Sequence, residues 1–198
     1  MDNIPLMQKA LGAQWEQLPP GLQAHYQHGD NRDVGALDID YPGFMQPYLS
    51  FLRLLGALVN RRGKAVPTTV KKWMEGETQR WKRTITFPNG KAIFFNSHWV
   101  YAGGNEIIEY VSPLMGLRMA VAVKDGKLHY SGRHLVLKLG GLLIPIPEWL
   151  VLGHTTIVET ALDEGGFAMD FRLTHPWLGQ VFSYAGKFRT LRKQFYFI

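Results

Sequence analysis

From Val66 onward the apolar residues of this chain recur at every second position, in runs at 66–75, 77–87, 91–102, 105–112, 115–124, 127–138, 154–163, 167–175 and 178–190. A period of two sends alternate side chains to opposite faces of an extended chain, so these runs predict β-strands with one face inward. Between them stand Glu75-Gly76, Pro88-Asn89-Gly90, Gly103-Gly104, Asp125-Gly126 and Glu164-Gly165-Gly166, residues that tolerate the positive φ of tight turns. Tight turns join antiparallel neighbours, so the simplest topology is a meander. About nine strands in one sheet must hide their edges and their apolar face, by curling toward a barrel or by wrapping a helix.

The part before Val66 has a helical period instead. Leu6, Met7, Ala10, Leu11, Trp15 and Leu18 recur at three- and four-residue spacing, which predicts an amphipathic helix from Pro5 to about His25, with Pro19-Pro20 as a stop. Residues 28–43 are polar and rich in Asp and Gly, and read as a loop. A second helix starts at Pro47. Phe51, Leu52, Leu54, Leu55, Leu58 and Val59 cover so much of its circumference that it is expected to be buried and to fill the concavity of the sheet.

The fold class expected is therefore α+β. N-terminal helices (1–65) pack on a strongly curved antiparallel β-meander (66–198), a calycin-like or helix-grip-like half barrel, as one domain over 1–198. One stretch breaks the rhythm. From Leu142 through Pro145, Pro147 and Trp149 to Leu152 it is apolar but too proline-rich for a central strand. It is expected either to cross an end of the sheet or to serve self-association or a partner domain.

Composition narrows the function classes. The chain has no cysteine, which excludes a disulfide framework, a thiol nucleophile and a cysteine-ligated zinc. The formal charge of +6 permits attraction to polyanions. Its clusters, Arg61-Arg62-Gly63-Lys64, Lys71-Lys72 and the tail around Lys187 and Arg189, carry no nucleic-acid motif, so no specific nucleic-acid partner is expected. The seven histidines are scattered, and no metal or cofactor is expected. No run approaches the ~18 apolar residues of a membrane span and no signal peptide is evident, so a cytoplasmic location is the expectation. Nucleophile elbows, phosphate loops and dinucleotide fingerprints are absent from the sequence, which favours a non-enzyme.

Charge on the apolar phase of a strand is the informative anomaly, because a buried ion must be paired or hydrogen-bonded. Arg83 is in phase with Trp81, Ile85 and Phe87; Glu109 with Ile107 and Val111; Glu159 with Ile157 and Ala161. If those phases face inward, Arg83 meets Glu109 or Glu159. Tyr130 and His134 share a phase with Leu128 and Val136, Ser97 sits between Phe95 and Trp99, and Tyr184 alternates with Phe182 on the last run. These eight residues, Arg83, Ser97, Trp99, Glu109, Tyr130, His134, Glu159 and Tyr184, are the candidate ligand-binding set. Each also has a structural reading, as an ion pair or a buried ring with a satisfied polar tip.

Leu11-Gly12 with Leu18-Pro19, Trp81 with Arg83 and Phe87, Glu109-Tyr110, Asp125-Gly126-Lys127-Leu128, the run Pro145 to Leu150, Leu178-Gly179 and Tyr184-Ala185-Gly186-Lys187-Phe188 form an ordered string. In that order they resemble the bacterial family catalogued as domain of unknown function 4166, over nearly the whole chain. Members of that family often follow a nucleotide-binding dehydrogenase-like domain. The resemblance implies an antiparallel β domain of unassigned role, an accessory that holds substrate or ligand for a redox or lipid-related enzyme. Residues and resemblance together point to a domain that binds an apolar or lipid-like small molecule. The alternative is an enzyme, or the substrate-holding accessory domain of a redox enzyme, that uses a buried carboxylate as acid or base.

Overall fold

The computed structural model describes residues 4–27, 31–162 and 165–192. Eleven strands follow in chain order: β1 (Asn31–Asp40), β2 (Gly63–Glu75), β3 (Thr78–Thr86), β4 (Ala92–Gly103), β5 (Glu106–Tyr110), β6 (Met115–Lys124), β7 (Lys127–Leu139), β8 (Leu142–Ile146), β9 (His154–Ala161), β10 (Gly166–His175) and β11 (Gly179–Arg192). All pairings are antiparallel. β1 pairs with both β2 and β11, and β7 pairs with both β6 and β9, so ten strands close into a barrel. β8 pairs with the far end of β7 and stands outside the ring.

The half barrel expected from the sequence is thus a closed barrel, and β1 is the reason. Residues 28–43 read as a loop, but within them Asn31, Asp33, Leu37 and Ile39 point inward and are buried while Arg32, Val34 and Asp38 are exposed. Two polar residues on the inward phase hide its period of two. Seated between β2 and β11, this strand removes the free edges that an open meander would leave. The last run behaves as expected, since residues 181–188 lie in β11 between β1 and β10.

The single N-terminal helix expected is three short pieces: α1 (Leu6–Leu11), a 3₁₀ turn (Gly12–Gln17) and α2 (Pro20–Tyr26). Gly12 takes φ +54 and ends α1, and Pro19-Pro20 separates the turn from α2. This unit plugs the barrel end where the β2–β3, β4–β5 and β6–β7 turns lie. Leu6, Met7, Leu11, Trp15 and Leu22 enter the core, and Gln14 accepts a hydrogen bond from the Val123 amide at 3.0 Å.

α3 (Gln46–Leu54) does not fill the barrel, contrary to the expectation. It buries Leu49 and Leu52 but leaves Phe51 and Leu54 in solvent. Topology decides this: β1 ends and β2 begins at the end opposite the plug, so the connection between them is held at that rim. The proline-rich stretch also differs from a plain connection. β8 is an edge strand, the one place in a sheet where Pro145 costs little, and a 3₁₀ turn (Glu148–Leu150) follows. Val151 and Leu152 turn into the interior while Leu142, Leu143 and Trp149 are exposed.

Candidate functional site

Between the plug and the α3 rim the barrel encloses a cavity of about 140 Å³, walled largely by apolar side chains such as Leu37, Val70, Ile157 and Phe171. Three polar clusters interrupt that wall. The first joins α2, β1 and β2. Lys72 Nζ lies 3.0 Å from Asp33 Oδ2, and it donates to the His25 carbonyl at 2.8 Å. His25 Nδ1 stands between Asp33 Oδ1 at 3.1 Å and Lys72 Nζ at 2.9 Å, so it either donates to the carboxylate or accepts from the ammonium. Thr190 Oγ1 donates to Asp33 Oδ1 and Asn31 Nδ2 to the His25 carbonyl, each at 2.8 Å.

Burial and pairing shift Asp33 and Lys72 in this cluster. Burial alone would raise the Asp33 carboxyl, but His25 and Lys72 beside it hold it well below the usual carboxylate range. Burial pulls the Lys72 ammonium down to about 8, against the attraction of Asp33. Among the described residues no three His, Asp or Glu side chains gather as a metal site would require. Beside Asp33 the cation is the lysine ammonium.

The second cluster joins α2, β7 and β9. Tyr26 donates to Glu159 Oε2 at 2.6 Å, and the Tyr26 and Tyr130 hydroxyls share a short hydrogen bond. Tyr130 and Glu159 face the cavity and Tyr26 lies behind them. Burial raises the Glu159 carboxyl, opposed by His25, Tyr26 and Lys72, and burial likewise pushes both tyrosines well above the usual phenol range.

The third cluster crosses β3, β4 and β5. Arg83 donates to Ser97 Oγ at 2.8 Å and to Glu109 Oε1 at 3.0 Å, and Ser97 donates to the same Glu109 oxygen at 2.6 Å. The guanidinium sits 5.1 Å from the ring centres of both Trp81 and Phe95, a double cation–π arrangement.

The sequence-derived set thus converges in part. Arg83, Ser97 and Glu109 meet as one cluster, while Glu159 pairs with Tyr26 and Tyr130 rather than with Arg83. Trp99 packs at 4.4 Å on Trp81, and Tyr184 lines the cavity stacked on Phe171 at 4.4 Å. His134 does not join them. The β6–β7 register shifts where Met119 faces Gly132 and Arg118 faces His134, leaving Arg133 as an extra residue that reverses the phase. Leu135 then lines the cavity and His134 does not.

Sequence reasoning missed His25, Asp33, Lys72 and Glu148. Lys72 carried the same signal as Arg83, a charge in phase with Val66 and Val70. Glu148 is buried against Gly132, where an added Cβ would lie 1.9 Å from its Oε1; it accepts from the Thr155 amide at 3.0 Å and meets His154 Nδ1 at 2.9 Å. Proximity to Gly132 cannot be read from local pattern.

No curated protein matches the chain at a significant level. The family model described as domain of unknown function (DUF4166) matches residues 18–188, from just before α2 to the middle of β11, and on that match the chain belongs to the DUF4166 family.

Proposed function

We propose that the barrel binds an apolar, uncharged small molecule whose hydrogen-bonding end is held by the polar groups of the cavity. The supporting observation is a pair of orphan donors: Trp81 Nε1 and Trp99 Nε1 are buried, belong to cavity-lining residues and have no protein acceptor. A buried donor without a partner is costly, and a ligand oxygen would relieve it. The interior charges argue for neutrality. Arg83 is matched by Glu109 and Lys72 by Asp33, while burial favours the neutral form of Glu159. That leaves neither of these two cations free for an anionic ligand. The size suits a small or slender molecule, since cavities of roughly 150 Å³ lined by apolar side chains hold a benzene-sized guest.

Titration with octanol and with octanoate, followed by tryptophan emission and calorimetry, tests this reading. The expected result is saturable binding of octanol, weakened by Trp81→Phe and Trp99→Phe, with little response to octanoate. A missing response to octanol, or tighter binding of octanoate, overturns it.

A second reading makes Glu159 a general acid, favoured by its raised pKa and its place on the cavity wall beside Tyr130. It requires a turnover that Glu159→Gln removes while binding persists.

A further inference from the structure

The barrel end opposite the plug is apolar and basic together. Strand direction places α3 and the β3–β4, β5–β6, β7–β8 and β10–β11 turns there, and the β8–β9 connection reaches the same end, with the Trp149 ring beside Trp177. Leu54, Leu114, Leu142, Trp149, Trp177 and Leu178 are exposed at this end, Leu54 by 84 % and Trp177 by 77 %. Contacts join their carriers into an arc. Arg53 of α3 donates to the Phe94 carbonyl at 2.7 Å, and Gly56 abuts the Val111 carbonyl. The Lys138 amide donates to the Leu114 carbonyl at 2.7 Å, and the Trp149 and Trp177 rings lie 6.0 Å apart. Apolar exposure on this scale marks a surface that meets something.

Charge says what it meets. The connecting segments at this end, 41–62, 87–91, 111–114, 140–153 and 176–178, hold Arg53, Arg61, Arg62 and Lys91 and a single acidic residue, Glu148, which is buried. On the adjoining strand ends lie the exposed Lys64 and Lys138 together with the exposed Asp38 and Asp40, of which Asp40 stands 3.7 Å from Arg62, so the balance at this end stays basic. Exposed tryptophan and leucine among basic residues suit the interfacial zone of an anionic bilayer. Among the described residues no helix is long and apolar enough to span a membrane.

We infer that this end of the barrel docks on an anionic lipid surface, with Trp149, Trp177 and the leucines of α3 and β8 in the interface and the basic residues on the headgroups. The cavity gains a consequence, because Leu52, Leu58, Val111, Val151 and Leu152, from the same segments, form its wall on that side. A ligand could then pass between bilayer and barrel without crossing bulk water. The docking itself does not rest on the ligand reading, and either can fail without the other.

Co-sedimentation of the whole chain with vesicles of phosphatidylcholine alone, and of equal parts phosphatidylcholine and phosphatidylglycerol, tests the inference. Binding to the mixed vesicles, weakened by salt, with part of the tryptophan emission quenched by brominated lipid and less of it in Trp177→Phe, is the expected result. The Leu54→Glu/Trp177→Glu variant should lose binding. The Lys64→Glu/Lys91→Glu variant, altered only at exposed lysines, should weaken it about tenfold or more, and it keeps the test open if the first variant does not fold. Equal binding to both vesicle types, or binding to neither, overturns the inference. So does a dimer in sedimentation velocity that the apolar variant dissociates while vesicles stay unbound, because the face would then be a contact between copies.

Discussion

Lys72 Nζ lies 3.0 Å from Asp33 Oδ2 between β2 and β1, with side chains exposed by 0 % and 1 %, and His25 lies against both. Removing one member of so buried a pair strands the other charge. Asp33→Asn should therefore destabilise the protein by about 3–5 kcal/mol, while an Asp33→Leu/Lys72→Met double variant should recover most of that loss. Urea denaturation of the three proteins decides it. The folded pKa of Asp33 is depressed, so its contribution is complete above the unfolded value of about 4 and fades as pH falls below it. In Asp33→Asn that acid limb of the stability profile should flatten.

Glu159 should show the opposite sign. Its folded pKa is raised, chiefly by burial, so the stability it contributes is present below the unfolded pKa and is lost as pH rises through the folded one. Glu159→Gln keeps an oxygen for the Tyr26 hydroxyl and carries no charge. Relative to the parent, this variant should gain stability as pH rises above the unfolded carboxyl value of about 4.3. A relative stability that falls over the same range would contradict the raised pKa.

Gly132 and Glu148 form a pair of another kind, in which an added methyl would meet a carboxylate at 1.9 Å. Overpacking of that sort costs about 1–3 kcal/mol. Gly132→Ala should lose stability on this scale, and adding Glu148→Ala should cost less than it does in the parent, because the clash has gone. A thermal-melt double-mutant cycle with no coupling would show that the carboxylate simply swings away.

Legibility in the sequence followed the inward phase of each strand. Where that phase is apolar, as in Trp81, Ile85 and Phe87 of β3, the strand is plain, and the one charge within it, Arg83, is both anomalous and correctly placed beside Glu109. On β1 the inward phase begins with Asn31 and Asp33, so the strand that closes the barrel looked like loop. α3 misled in the other direction. Its apolar circumference suggested complete burial, but its place between two rim-level strand ends leaves much of it outside. The contact of Tyr26 with Glu159 joins residues 133 apart and depends on α2 reaching the barrel interior, so no local pattern announces it. His134 failed because one bulged residue reverses a phase that periodicity assumes to be continuous.

The closing seam supplies the last prediction. β11 pairs with β1 from Asn31 opposite Arg192 to Asp40 opposite Ser183, and on its other edge with β10 from Gly166 opposite Arg189 to His175 opposite Gly179. It also buries Val181, Phe182 and Phe188, and Thr190 holds Asp33 in its ion-pair geometry. Ending the chain after Gly179 would expose two strand edges at once and remove those side chains from the core. At roughly 1.5–3 kcal/mol for each large buried apolar side chain, the loss from three of them approaches the whole stability of an ordinary domain. The truncated chain should not give a soluble, cooperatively melting protein. Cooperative unfolding of the chain ended at Gly179 would mean that β1 and β10 can seal the barrel without β11.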